Sequence, residues 1–379
     1  MGCSFRFVHC ADLHLGSVSA CSDDRGEGVF RSFSRIVDMA LTESADAIVI
    51  SGDVYDDSAV SPAVRFRFVR ELSRFTGPVF ICRGNHDSTS PWDASIPYPE
   101  NVHEFGPEPE VVSVSLDGGD FEVVGASFAS RSEPRNLAAM MEGDPGIFTI
   151  ACIHCDAFSG ASYAPCTVQD MKGRNVDYWA LGHIHKRQVL SEDPYVVYPG
   201  NIQGRDIGET GKKGAYLVTV ESGRVSELRF VPTQSFVWRS LEADISGRTL
   251  QEAMAGIASE CSAGDVISVS FKGSGPLDRV LRSDPEGIAR MAEELTGCKV
   301  AGIRMMTSPE GVPKELAGAV RDSGNALAGP DRGLILGILR SKPMLRNNIS
   351  YFESMSDEEL SMLAAEASAL AASSLEVER

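Results

Sequence analysis

Over the first 230 residues the apolar positions switch repeatedly between two periods. β-Branched and aromatic runs at residues 5–9, 47–51 and 78–82 read as strands. Between them, residues 29–43 and a segment opened by Pro62 repeat their apolar positions at helical spacing, the second with Val64, Phe68 and Leu72 on one face. Two βαβ units in succession are therefore predicted. From Val111 the pattern turns to strands joined by glycines, and Asp117-Gly118-Gly119 between VVSVSL and FEVVG predicts a hairpin. Further strands are predicted at 148–153, 178–181, 195–198, 215–220 and 225–231. The fold class is α/β, with two layers of sheet flanked by helices.

Beyond residue 234 the chain reads as strand-like SLEADI, helix-like TLQEAMAGIASEC, strand-like VISVSF, helix-like GIARMAEEL and strand-like VAGIRM. A small α/β accessory domain is expected there. A Gly/Pro/Ser-richer stretch at 311–332 precedes a terminal helix capped by Ser356 or Asp357, with Leu360, Leu363 and Ala364 on its apolar stripe. The expected domains are 1–234, 235–310 and 311–379.

A chain of 379 residues with 43% hydrophobic content supports one large domain and smaller pieces. No apolar run is long enough to span a bilayer. The opening residues interrupt their apolar positions with Arg6, His9, Asp12 and His14, so no leader and a cytoplasmic location are expected. Nine cysteines, an odd number in apolar contexts such as VFICRGN and TIACIHC, suit a reducing compartment. Cys152 and Cys155 form a C-x-x-C without a second pair, and the preceding FTIA reads as a buried strand. A net charge of -18 argues against gripping nucleic acid by bulk electrostatics. That objection eases if cations neutralise an acidic centre, if basic residues cluster locally, or if a partner supplies the grip.

Candidate chemistry lies in short segments directly after predicted strands. They are Asp12-Leu13-His14, Gly52-Asp53-Val54-Tyr55-Asp56, Gly84-Asn85-His86-Asp87, His154 after TIACI, and Gly182-His183-Ile184-His185. One such segment means little, because a lone histidine is more often a satisfied core residue than a ligand. The set, in order and on the side where α/β sheets place ligands, has no comparable structural explanation. Imidazole, carboxylate and amide oxygen together suit first-row divalent metals, and paired metals are the usual arrangement for hydrolysing phosphate esters.

These motifs resemble the calcineurin-like metallophosphoesterase superfamily over about the first 220 residues, which implies a four-layer α/β/β/α fold. Carried onto the matching positions, the family pattern implies that Asp12, His14 and His185 hold one metal, that Asn85, His154 and His183 hold the other, and that Asp53 bridges them. It suggests manganese, while the ligands would also accept iron or zinc. A hydroxide between the metals would attack phosphorus in line, and His86 would face the scissile phosphate. Asp87 is expected to orient His86 or another ligand, or to cap the loop; Asp56 is left open.

FVHCADLHLGS, ICRGNHDS and YPGNIQGRDIGETGKKGAYLV further resemble the SbcD-type DNA-repair exonucleases, in particular their YhaO-like branch. In the third stretch Asn201, Gln203, Arg205, Lys212 and Lys213 are candidate substrate-binding residues; the alternative is a solvated hairpin with a basic turn. Gly211-Lys212-Lys213-Gly214 lacks the spacing and following Ser or Thr of an ATPase phosphate loop. The resemblance implies DNA as substrate, a capping domain, a C-terminal helix docked on an SMC-like ATPase, and a homodimer formed through residues 30–41 or 62–75. Two other functions stay open: a phosphodiesterase or phosphatase acting on nucleotides or small phosphate esters, and a regulatory subunit of the ATPase with a silent metal site. The intact ligand set and His86 speak against the last.

Overall fold

Strand β1 (Phe5–Cys10) shows how the layers arise. Successive side chains of a strand point to opposite faces. Phe5 and Phe7 enter a core shared with Phe121, Phe148, Ile150, Tyr178 and Ala180, whereas Val8 and Cys10 enter one shared with Phe33, Ile36, Phe68 and Leu72. β2 (Ala47–Ser51) repeats the division, with Ala47 and Val49 on the first side and Ile48 and Ile50 on the second. One face of this sheet therefore meets a second sheet and the other meets helices.

The computed structural model describes residues 3–17, 26–57, 59–88, 95–158 and 163–308, with isolated positions between 332 and 360. It divides into two units, Met1–Arg239 and Ser240–Arg379. In the first unit, α1 (Glu27–Thr42), α2 (Pro62–Leu72), β3 (Val79–Cys82) and β4 (Val102–Glu104) follow β1 and β2. β1, β2 and β3 pair in parallel, as two βαβ units require. Ser61 caps α2 by accepting from the Val64 N–H at 3.4 Å, and Pro62 occupies the first turn.

The chain then lays down the second sheet with β5 (Glu110–Val114), β6 (Phe121–Ala126), α3 (Leu137–Met140), β7 (Phe148–His154), α4 (Val168–Met171), β8 (Tyr178–Gly182), β9 (Gln188–Glu192) and β10 (Tyr195–Tyr198). β5 and β6 form the expected antiparallel hairpin. β11 (Gly214–Glu221) and β12 (Arg224–Pro232) return to the first sheet, β11 pairing antiparallel with β1. The strand orders are β12-β11-β1-β2-β3-β4 and β5-β6-β7-β8-β10-β9. The outer face of the second sheet, with Val124, Ala151, Ile153, Trp179 and Leu181, packs on Leu137, Ala138 and Met171. The architecture is four layers, α/β/β/α. The short strands β4 and β9 were not anticipated.

The second unit contains β13 (Trp238–Asp244), whose first two residues precede the boundary, then α5 (Leu250–Ser259), β14 (Val266–Ser274), α6 (Leu277–Ser283), α7 (Pro285–Thr296) and β15 (Lys299–Ser308). Its sheet runs β13-β14-β15 around a core of Leu241, Met254, Ile257, Ile267, Phe271 and Ile288. Thr249 and Glu252 form a capping box at α5. In the tail, Ser356 caps by accepting from the Glu359 N–H at 3.2 Å, and Leu360 is buried. Leu363, Ala364 and most of the expected helical segment 311–379 lie outside the described residues. No helix among the described residues is long and apolar enough to cross a membrane.

The two sheets of the first unit press together where β2 and β8 end. A Cβ on Gly182 would lie 1.6 Å from the Ser51 carbonyl oxygen. Because the obstacle is backbone, Gly182→Ala should destabilise the first unit by at least about 2 kcal/mol, the scale of overpacking. A urea midpoint unchanged from wild type would contradict this.

Candidate metal centre

Each candidate side chain leaves the sandwich at the C-terminal end of a strand: Asp12 and His14 after β1, Asp53 and Asp56 after β2, Asn85, His86 and Asp87 after β3, His154 at the end of β7, and His183 and His185 after β8. The loops after β1 and β2 remain paired beyond their strands, Asp12 N–H donating to the Gly52 carbonyl at 3.1 Å and His14 N–H to the Asp53 carbonyl at 3.0 Å. This geometry puts Asp12, His14, Asp53 and His183 at positive φ (52°, 48°, 47° and 104°). Left-handed backbone costs a non-glycine residue roughly 1–2 kcal/mol. The surrounding hydrogen bonds hold all four there, and such strain gathers at functional sites.

The side chains converge in two groups. In one, His14 Nε2 lies 3.0 Å from His185 Nε2, and Asp12, His14 and His185 offer ligand atoms within 4.8 Å of one another. In the other, the Asn85 side-chain oxygen lies 3.1 Å from His154 Nε2 and 3.2 Å from His183 Nδ1. Asp53 stands between them, its Oδ2 at 3.9 Å from His14 Nε2 and 3.4 Å from His154 Nε2.

Proton positions show that this set fits cations. His154 Nδ1 donates to the Ser51 carbonyl at 3.1 Å, which leaves Nε2 as the free donor atom. His185 Nδ1 lies 2.6 Å from Glu209 Oε1, a hydrogen bond, and His14 Nδ1 faces Asp56 Oδ1 at 3.1 Å off the angle of a good one, so each ring's proton belongs on the nitrogen that faces a carboxylate. The lone pairs of their two Nε2 atoms then face each other, which is repulsive unless a positive charge lies between them. A proton is one solution: burial opposes protonation of His185, but the Glu209 hydrogen bond and nearby Asp12 outweigh it and raise its pKa. A divalent cation is the other. Burial pushes His154 down to about 3 and His14 and His183 down to about 4, so these rings are neutral, as ligands must be. Burial, opposed by His185 and reinforced by Asp53, pushes Asp12 up to about 7.

His86 is half-buried beside this set, with its ring 4.8 Å from that of His14. Its Nδ1 lies 2.7 Å from the Asp56 carbonyl oxygen, which can only accept, so Nδ1 carries a proton and Nε2 is the working atom. Asp56 also pairs with Arg205 at 2.9 Å. Arg205 thus reaches the centre, whereas Lys212 is exposed in the same loop.

Of the roles open to Asp87 the loop cap is the one the structure shows, and two other expectations, Asn201 and Gln203, need correction. Asp87 is 3% exposed, and its carboxylate accepts from the Gly84 N–H at 2.9 Å, the Val54 N–H at 2.7 Å and the Tyr55 N–H at 3.3 Å. It ties the loop after β3 to the loop after β2 and does not orient His86. Asn201 is buried and donates to the Gln203 carbonyl at 2.8 Å and to Glu209 Oε2 at 2.5 Å. Gln203 is buried too, accepting from the Ser235 N–H at 2.8 Å and donating to the Phe236 carbonyl at 3.1 Å. Both brace the loop from within and cannot meet a substrate. Lys213 supports the site by donating from Nζ to the His185 carbonyl at 2.9 Å.

Glu209 was missed. The stretch around GETG stands out in the sequence for its donors and positive charge, and nothing local links a glutamate in it to His185. Glu209 accepts from Asn201 and from the Arg205 N–H at 2.9 Å while holding His185, and despite burial these bonds bring its carboxyl down to about 2.

The calcineurin-like phosphoesterase pattern matches residues 5–187, a span that carries the whole convergent ligand set. These residues are a calcineurin-like phosphoesterase domain. The chain is 36% identical over 259 residues to the uncharacterized metallophosphoesterase YhaO of Bacillus subtilis (strain 168), covering 63% of each chain. It is 26% identical over 239 residues to the DNA double-strand break repair protein Mre11 of Archaeoglobus fulgidus, covering 55% of this chain and 52% of that one. To the Mre11 of Sulfurisphaera tokodaii it is 25% identical over 209 residues, covering 50% and 51%. The chain thus spans between about half and two thirds of the length of these relatives. The calcineurin-like phosphoesterase domain is one that takes two divalent metals, and the two side-chain groups supply donors for them.

Because Asp12 must lose its proton to bind a cation while the neutral rings compete little, the rise in Tm on adding Mn(II) should grow from pH 6 to pH 8, across the value of about 7 for Asp12. A shift equal or larger at the acid end would be inconsistent with this. Glu209→Ala should weaken Mn(II) binding roughly 10- to 100-fold, the usual effect of losing a ligand's hydrogen-bond partner. Glu209→Gln, which still accepts from His185, should lose less; calorimetric titration of the two variants checks the order.

Proposed function

We propose that the protein hydrolyses DNA phosphodiester bonds as a metal-dependent, SbcD-type exonuclease. The observation that carries the reading is the pairing of two convergent ligand groups with His86, whose free Nε2 stands beside them. Two divalent cations, manganese in this reading, would supply Lewis acidity toward the phosphate and a more acidic water as nucleophile.

The chain's own groups do the rest. The Asp56 carbonyl holds the His86 ring by Nδ1. In its imidazolium form Nε2–H can then donate to a phosphate oxygen and give its proton to the leaving oxygen. Arg205, about one third exposed and held by Asp56, is placed to pair with a non-bridging oxygen. The likeness to two proteins named for DNA double-strand break repair favours a polymeric substrate over a small ester.

Net charge -18 leaves little long-range attraction for DNA, so the reading assigns most of the grip to an SMC-like ATPase docked on residues 311–379. It also includes a homodimer formed through α1 or α2, where Leu41 is 44% and Phe66 56% exposed.

Hydrolysis of linear double-stranded DNA, single-stranded DNA and bis-p-nitrophenyl phosphate with added Mn(II) tests the assignment. Wild type should cleave DNA. His86→Ala should keep its metals and lose about 100-fold or more in rate, the scale of a general acid. Asp53→Ala should lose metal and activity together. Cleavage of the small ester alone, with the candidate ATPase partner present, would defeat the DNA assignment and leave the phosphoesterase.

A further inference from the structure

Below the ligand loops, the layer between the two sheets stops being apolar. The alternation that puts Phe5 and Phe7 in that layer puts His9 there as well, and β2 does the same for Ser51 after Ala47 and Val49. His9 is 0% exposed and belongs to none of the ligand groups. Among the described residues it is the buried histidine the centre leaves unused.

Its hydrogen bonds have a defined direction. Ser51 Oγ donates to the Ala180 carbonyl at 2.8 Å, so toward His9 Nε2, at 3.4 Å, it accepts. With the proton on Nε2, His9 Nδ1 accepts from the Tyr178 hydroxyl at 3.0 Å. Burial pushes His9 down to about 3, opposed by the Leu181 backbone, which also accepts from the ring, so the ring carries a single N–H. The path runs from β8 to β1 to β2 and back to β8, crossing between the sheets twice. Ser51 also touches the centre, since its carbonyl accepts from His154 Nδ1.

We propose that His9 is a positioning residue for the metal centre: with Tyr178 and Ser51 it keys the two sheets in register beneath the ligand loops. One sheet carries Asp12, His14, Asp53 and Asn85, the other His154, His183 and His185, so the spacing of the two ligand groups depends on how the sheets are set against each other. Ligand sets need to be held to within about 0.5 Å. Apolar contacts resist sliding through packing alone, and directed hydrogen bonds between fixed atoms add a constraint on angle as well as distance. A buried polar set adds little net stability over an apolar one, so its contribution here is geometric. The proposal rests on the two-cation reading of the loops.

The test uses the full chain with Mn(II), titrated by calorimetry and examined by electron paramagnetic resonance, in which two close Mn(II) ions give a coupled signal distinct from that of isolated ions. Wild type should bind two ions and show coupling. His9→Leu should keep its unfolding temperature within a few degrees, bind Mn(II) about tenfold more weakly, and lose the coupled signal. His9→Gln, which can both donate and accept, should restore coupling. Tyr178→Phe should shift affinity in the same direction by less, and it carries the test if His9→Leu does not fold. Wild-type affinity and coupling in His9→Leu, or in Tyr178→Phe if that is the folded variant, would overturn the positioning role and leave the metal site standing. No Mn(II) bound by wild type would overturn both.

Discussion

The head of the first unit is governed by how closely two strand ends approach across the sandwich. β2 and β8 belong to different sheets, yet the backbone of Gly182 is packed so near the Ser51 carbonyl that no side chain fits between them. Two further glycines serve the same crowding: a Cβ on Gly52 would meet the His154 ring at 2.2 Å, and one on Gly84 would meet Asp53 Oδ1 at 2.2 Å. Sheets stacked face to face ordinarily stand about 10 Å apart. Side chains from both can ligate common ions only where the loops lean together, and glycine permits that.

Closeness of this kind decides the electrostatics. Three buried or half-buried imidazoles are kept neutral, and the carboxyls of Asp12 and Asp87 are both pushed up to about 7. For Asp12 the cause is burial with Asp53 close by; for Asp87 it is burial, again with Asp53, against three backbone N–H groups that pull the other way. The protein thus gathers groups that are poorly solvated, mutually repulsive and, in several cases, in left-handed backbone. Cations are the partners that relieve the first two conditions together.

Much of this was legible in the chain. Alternating periods located the strands and helices of the sandwich, and ligand residue types at successive strand ends located the loops. What was not legible was orientation inside those loops. Asp87 follows Asn85 and His86 in one motif, yet its carboxylate turns to the backbone of the β2 loop, a partner 33 positions away at Val54. Asn201 and Gln203 are donors in a stretch rich in donors, but the chain beyond β10 runs through the interior before it surfaces at Arg205. Glu209 meets His185 across 24 positions with no periodicity to announce it. In each case residue type was informative and the tertiary partner decided the role.

The loop between β10 and β11 carries Glu209, which holds a metal ligand, and Arg205, which reaches across to Asp56 and so to His14 and His86. A group that drew Arg205 away from Asp56 would unload a contact of His14 and tug the loop whose carboxylate steadies His185. Substrate recognition and metal retention therefore share one short piece of backbone. Sequence drift there would not be free to tune substrate choice alone, and a redesign aimed at a new phosphoester would have to rebuild the hold on the ions in the same step.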